Sequence, residues 1–399
     1  MFPQPYRLGE NFLRHIGQTS PSPLGIEIQR AEGVYLYTPQ GEKYIDLVSG
    51  VSVSNVGHSN REVIDAVCEQ ANRHMHLMVY GEIIQQPQVE HATLLAANLP
   101  GNLDVVYYVN SGSEANEAAV KLAKRKTGRR EVISCINSYH GSTHGALSLM
   151  GSEKFKSAFR PLLPDIRHIQ FNSFEDLTLI TDRTAAFIIE PVQGEGGVRI
   201  PDEGYLEAVR KRCDDTGTVL IFDEIQTGFG RCGKLFAALR WNVVPDIITL
   251  AKALGGGMPL GAFAASSELM SLWQYNPVLG HITTFGGHPV SCAAALASLK
   301  ILLRENWVED AERKGALYKE TLISHKRVKE IRQAGLLLAV DLGSGDCAER
   351  VLPLLLEEGI MSDWFLFDGN SFRIAPPLCI NDDEILYSAG LIVRALDRL

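Results

Sequence analysis

The 399-residue chain is predicted to be an α/β protein, with a large domain on a mostly parallel central sheet and a smaller α+β domain. Three observations predict it. Between residues 105 and 250, continuous apolar runs without polar alternation recur, which is how strands buried on both faces of a parallel sheet read. Helical stripes separate these runs, so strand and helix alternate as such sheets require. After about residue 300 the alternation loosens, and the length exceeds what one core usually supports.

The expected boundaries follow this change of pattern: an N-terminal segment, 1–55, packing with the small domain, the large domain over 56–300, and the small α+β domain over 301–399. Residues 1 to about 30 carry Pro3, Pro5, Pro21 and Pro23 and read as irregular. VYLYTPQGEKYIDLVSG (34–50) reads as a hairpin around a Pro-Gln-Gly turn. Up to about Asn98, helical patterns alternate with breaks at Gly81 and Pro87. His74 and His76 have no Cys or carboxylate partner at ligand spacing and are read as a helix face.

VVYYV (105–109) is a buried strand, NSGSE a turn, and Ala115, Ala118, Ala119, Leu122 and Ala123 the apolar stripe of the next helix. VISCI (132–136), AAFII (185–189), TVLIF (218–222) and IITL (247–250) repeat the strand signature. Beyond them come a long helical pattern to Lys326, the apolar run LLLAVDL (336–342), and a helix over 347–358. IMSDWFLF and SFRIA read as strands, and an amphipathic helix covers 382–396.

A net charge of -9 argues against nucleic acid as a partner, because neutralising phosphates needs a concentrated basic surface. The one basic cluster, Lys121, Lys124, Arg125, Lys126, Arg129 and Arg130, is read as the exterior and exit of a helix. Seven scattered cysteines without a Cys-x-x-Cys pair suggest reduced thiols and a cytoplasmic protein. The N-terminus lacks a signal-peptide core, and no run reaches the roughly 18 apolar residues of a membrane span.

Chemistry gathers at strand ends. TVLIF stops at Asp223 and Glu224, and IITL is followed by Lys252 and three glycines, so an acid and a lysine are expected at neighbouring carboxyl ends, where open α/β sheets bind ligands. Ser111-Gly112-Ser113 precedes the Ala-rich helix and reads either as a phosphate cradle or as an ordinary Ser cap. With the acid and the lysine, the cradle suits pyridoxal 5'-phosphate. That cofactor needs an amine for its aldehyde, a carboxylate for its pyridine nitrogen and an anion site for its phosphate.

NSGSEANEAAVKLAK, YHGSTHGALS, EPVQGEGGV, FDEIQTGFGR, LAKALGGGMPLGA, TTFGGHP and FRIAPPL occur in this order. In these motifs the chain resembles the class III (ω-amino) aminotransferases, fold type I pyridoxal-phosphate enzymes that include the acetylornithine, ornithine and 4-aminobutyrate aminotransferases. The likeness runs from about residue 33 to 377. It implies that Lys252 holds the cofactor aldehyde and then moves the proton, that Asp223 pairs with the pyridine nitrogen, and that Gln226 meets the phenolic oxygen. Tyr139 would stack on the ring, and Gly112 and Ser113 would hold the phosphate. Thr284 would reach the phosphate of a neighbouring subunit, which implies a homodimer with shared sites.

The resemblance also makes Arg373 the receptor of a substrate carboxylate and Glu195 its switchable partner. Glu190 is expected to support the site and Glu224 to face away from the cofactor, while Cys232, His140 and His144 are given no chemical role. The family usually carries Arg after the aromatic-His-Gly triplet; here Ser142 stands there, and a hydroxyl cannot replace a charged partner for a buried carboxylate. Val51, where the ornithine enzyme is polar and aromatic, points to an apolar wall.

The expected activity is therefore transfer of an amino group from an ω-amine or ω-amino acid to a 2-oxo acid, 2-oxoglutarate or pyruvate. The small-molecule donor and acceptor are the partners, with no nucleic acid, metal or membrane. An acetylornithine/ornithine-type enzyme, a diaminopelargonate-synthesis-like enzyme and a fold type I aminomutase, racemase or decarboxylase remain as alternatives. The joint presence of Asp223, Gln226 and Lys252 speaks against a binding protein without turnover.

Overall fold

The computed structural model describes residues 8–399 and contains three sheets. The strands β1 (Arg30–Glu32), β2 (Tyr35–Tyr37) and β3 (Lys43–Asp46) pair antiparallel as the hairpin expected over 34–50, with β1 added in front. Then come β4 (Val105–Val109), β5 (Glu131–Cys135), β6 (Ile166–Ile169), β7 (Thr184–Ile189), β8 (Val219–Asp223), β9 (Ile247–Leu250) and β10 (Gly261–Ala265). These seven form the central sheet in the order β4-β10-β9-β8-β7-β5-β6.

After them follow β11 (Glu330–Ala334), β12 (Leu337–Asp341), β13 (Ile360–Met361) and β14 (Ser371–Ile374). The order β11-β12-β14 makes an antiparallel sheet. β13 lies parallel to β3, so the N-terminal hairpin and the C-terminal region share one sheet.

The central strands have no polar alternation because both faces are covered. Ala186 and Ile188 of β7 pack with Ala118, Leu122 and Ala123 of the helix Gly112–Thr127. Phe187 and Ile189 face the other way, with Leu206 and Val209 of the helix Tyr205–Thr216. Six of the seven strands run in one direction; β10 alone is antiparallel to both its neighbours, β9 and β4. This topology gathers the carboxyl ends of β4, β5, β7, β8 and β9 along one edge.

Several elements differ from expectation. GAFAA (261–265) is a central strand although its small residues give no strand signal. The segment read as irregular contains the helix Leu8–His15, while residues 1–7 lie outside the described residues. His74 and His76 follow the helix Arg61–Arg73 instead of lying on it: His74 is its extended cap residue, held by the Gln70 side chain on the His74 carbonyl. The pattern to Lys326 is two helices, Pro289–Arg304 and Trp307–Leu322. IMSDWFLF supplies only the two residues of β13, and the rest is a loop whose Asp363 and Asp368 are engaged by arginines. Among the described residues no helix is long and apolar enough to cross a membrane.

Candidate active site

A cleft of ≈ 360 Å³ opens at this sheet edge. Each wall grows from a strand end. After β8, Asp223 points into it; after β9, Lys252; after β4, Ser111, Gly112 and Ser113; after β5, Tyr139, His140 and Gly141; after β7, Glu190 and Glu195. Because β8 and β9 are adjacent and parallel, the acid and the lysine do stand at neighbouring ends.

Asp223 is 3 % exposed, and three donors hold it. Its Oδ2 accepts from Asn116 Nδ2 and lies against His140 Nδ1, each at 2.7 Å, while Oδ1 accepts from Ile225 N at 3.1 Å. These donors satisfy the buried carboxylate and fix its orientation. Asn116 is oriented in turn by the His140 carbonyl and by Thr249 Oγ1, which donates to Asn116 Oδ1 at 2.7 Å. The adjacent Glu224 faces elsewhere: it accepts from the backbone N–H groups of Ala237 and Ala238 and from Thr227 Oγ1.

Lys252 adopts φ 51°, the left-handed region that a lysine enters only when its surroundings impose it. Burial pushes its amine below the usual lysine range, opposed by the nearby Glu195 carboxylate. A lowered pKa frees the amine for nucleophilic and base chemistry. Glu190 accepts from Tyr139 N and Gly194 N, both at 2.9 Å, and burial pushes its carboxyl up to about 7.

The helix Gly112–Thr127 aims its N-terminus at the cleft, with Ser111 as N-cap on Glu114 N. A Cβ on Gly112 would come within 2.6 Å of the end of the Ile225 side chain, which would have to shift. Gly141 has φ 130°, and a Cβ on it would collide with the Ser113 side chain. Ser113 Oγ accepts from Ser142 N at 3.2 Å, and Ser142 Oγ lies 3.0 Å from Tyr139 Oη.

Glu195 stands on the wall and Arg373, 1 % exposed, behind it; Arg373 Nη2 donates to Glu195 Oε1 at 2.8 Å. Of the residues singled out from sequence, Lys252, Asp223, Gly112, Ser113, Tyr139, Gln226 and Glu195 line the cleft, Ser142 touches two of them, and Arg373 lies one residue behind. Val51 does not line it, although Val53 does, and Thr284 is exposed away from it. Asn116, His140 and Asp363 escaped the sequence reading; His140 in particular had been assigned no role, yet it touches Asp223. Asking which donors a buried Asp223 carboxylate needs would have sought Asn116 and His140; Asp363 pairs with Arg373 and carries no such signal.

The residues fit pyridoxal 5'-phosphate. Gln226 Nε2 is a buried donor without a hydrogen-bond partner, the buried carboxylate awaits a cation, and a glycine-lined helix N-terminus offers an anion cradle. The family described as Aminotransferase class-III matches residues 16–396. The acetylornithine aminotransferase of Methanopyrus kandleri is 41% identical over 369 residues, covering 92% of this chain and 92% of that protein. The mitochondrial acetylornithine aminotransferase of Alnus glutinosa is 37% identical, covering 94% and 84%. Among solved structures, the ornithine aminotransferase of Toxoplasma gondii ME49 superimposes with a TM-score of 0.90 at 32% identity, over 98% of this chain and 94% of the other. A transaminase from the marine bacterium Virgibacillus gives 0.91 at 29%, over 98% of both. Strand-end carboxylate, lysine and anion cradle thus lie in a chain that belongs to the class III aminotransferases, enzymes that work with pyridoxal 5'-phosphate.

Proposed function

We propose that the chain transfers the terminal amino group of an acetylornithine- or ornithine-type donor to a 2-oxo acid, in two half-reactions at one site. The observation that carries this reading is the buried Glu195–Arg373 pair on the cleft wall. Closed, it presents a carboxylate to the end of a donor that carries an amine; opened, it frees a guanidinium for the carboxylate of a 2-oxo acid. The names of the Methanopyrus and Alnus relatives support the donor class.

When bound, pyridoxal 5'-phosphate supplies an aldehyde that takes up the amino group and a ring that accepts the electrons released as the adjacent carbon loses a proton. The chain does the rest. Lys252 Nζ anchors the cofactor and, once displaced, takes and returns that proton. Asp223, positioned by Asn116 and His140, would be the counter-ion of the ring nitrogen. Gly112 and Ser113 would hold its phosphate at the helix N-terminus, Gln226 would donate to the phenolic oxygen, and Tyr139 would cover the ring. Gly141→Ala is expected to displace Ser113 and weaken cofactor retention about tenfold, measured as a dissociation constant by ultrafiltration; unchanged retention would remove Ser113 from the phosphate site.

Exposed Thr284 suits a role at the phosphate of a second subunit, in a cytoplasmic homodimer; the N-terminal hairpin would belong with the small domain over 301–399, since β3 pairs with β13. A second reading rests on Ser142: no arginine lines the cleft among the described residues, so a donor lacking a carboxylate at its far end, a diamine or simple amine, is the other candidate. Initial rates with N-acetylornithine, ornithine, 4-aminobutyrate, lysine and putrescine decide. Fastest turnover of N-acetylornithine with none of putrescine supports the first reading and sinks the Ser142 argument; the reverse order supports the second.

A further inference from the structure

Arg373 carries two carboxylates. Besides Glu195 on Nη2, Asp363 Oδ1 lies 2.9 Å from Nε, an ion pair off the hydrogen-bonding axis, since Nε and Nη1 have no aligned acceptor. The loop after β13 is built around this arginine. Arg373 N donates to Asp363 O at 2.9 Å, Ser362 Oγ donates to Arg373 O at 2.7 Å, and the Phe365 ring lies 4.6 Å from the guanidinium carbon. The same loop holds Glu195, whose Oε2 accepts from Leu366 N at 3.2 Å and whose carbonyl accepts from Phe367 N at 3.0 Å. At its far end Asp368 is tied to Arg332 and to Ser371. One segment therefore fixes both members of the pair.

We propose that Asp363 is a specificity-determining residue: a second counter-ion that shares Arg373, steadies it when Glu195 turns aside, and weakens its grip on a substrate carboxylate. The proposal rests on the reading of Arg373 as carboxylate receptor. A buried arginine stripped of its only partner is costly. With Asp363 in place the guanidinium keeps a counter-ion throughout. The consequence for substrate is the opposite: the opened site is neutral instead of cationic, and an incoming carboxylate must share Nη1 and Nη2 with a competitor already seated on Nε. Amine ends of donors do not use the guanidinium and are unaffected.

The charged groups facing Asp363 are Arg373 on β14, Glu195 after β7 and Asp46 on β3, which is paired with His58 at 2.7 Å; Lys252 lies beyond Glu195 on the cleft side. Burial, Glu195 and Asp46 together push the Asp363 carboxyl up to about 6, against the pull of Arg373. Asp363 therefore competes as an anion above that pH and is neutral below it. Carboxylate affinity is expected to rise as pH falls through this range.

The test is calorimetric titration of the cofactor-loaded enzyme with glutarate, a dicarboxylate that cannot be aminated, from about pH 5 to about pH 8. Asp363→Asn and Asp363→Ser are both used, so that failure of one to fold does not end the test. At neutral pH the variants are expected to bind glutarate on the order of tenfold more tightly than the wild type, with affinity flat across the range, while the wild type approaches them at the acid end. In steady state, KM for the 2-oxo acid should fall while KM for a monoamine donor stays put. Variants that bind glutarate no more tightly, or that keep the wild-type pH profile, overturn the role of Asp363. Absence of glutarate binding to every form overturns instead the carboxylate role of Arg373, and with it the reading beneath.

Discussion

Replacing Lys252 by Ala is expected to lower kcat/KM for transamination by about four orders of magnitude. No other group can substitute for it. Among the described residues Lys252 is the only lysine on the cleft lining, its backbone is held at φ 51°, and burial pushes its amine below the usual lysine range. On the proposed roles two tasks are lost together, covalent anchoring and proton transfer, and losses of groups acting as a unit exceed what either task suggests alone. The measurement that separates the anchoring task is borohydride reduction followed by peptide mass analysis. The wild type should carry the cofactor mass on the peptide containing Lys252, and the variant should carry none. Label retained on another lysine would remove Lys252 from its role.

The second largest effect is expected at Asp223. Asp223→Asn keeps the size but loses the charge, and should reduce kcat by roughly 10²–10³, with the donor half-reaction slowed in single turnover as much as the full cycle. The reasoning rests on its surroundings. Asn116 and His140 both press on Oδ2, so an asparagine must turn its oxygen toward Asn116 and give its NH₂ to the other side. There the NH₂ faces the Ile225 N–H, which loses its acceptor, so the variant gives up one local hydrogen bond together with the charge that stabilises a cation. A near-wild-type kcat in a folded Asp223→Asn enzyme would sink the assignment; thermal unfolding measured alongside guards against mistaking a misfolded protein for an inactive one.

How much of this was legible in the sequence depended on how far each feature reaches along the chain. β7, β8 and β9 could be read because burial on both faces leaves an unbroken apolar run, and the helix Gly112–Thr127 because Ala115, Ala118 and Leu122 keep helical spacing behind a Ser cap. β10 could not, since GAFAA owes its conformation to the neighbours on either side and not to its own side chains. The loop of Asp363 misled for the converse reason: Trp364, Phe365 and Phe367 look like a strand, but the segment's backbone and carboxylates serve Arg373, Glu195 and Arg332. In the site, Asp223 and Lys252 announced themselves as polar residues ending apolar strands. The contacts of His140 and Asn116 with Asp223 join residues far apart in sequence and had no local signature.

The reversed strand β10 also sets the order in which the binding site can come into being. β4, whose end carries Gly112 and Ser113, hydrogen-bonds to no strand but β10, pairing Val109 with Gly261. Everything from β5 to β9 is synthesised between these two partners. Closing so long a loop is slow, and contacts of this kind form late in folding. On this argument the helix N-terminus at Gly112 and Ser113, the proposed phosphate site, is expected to acquire its base in the sheet late, and a ligand held there would stabilise the finished fold by mass action. Cofactor uptake is therefore expected to follow, and not precede, assembly of the strands from β5 to β9, which refolding with and without the cofactor would show.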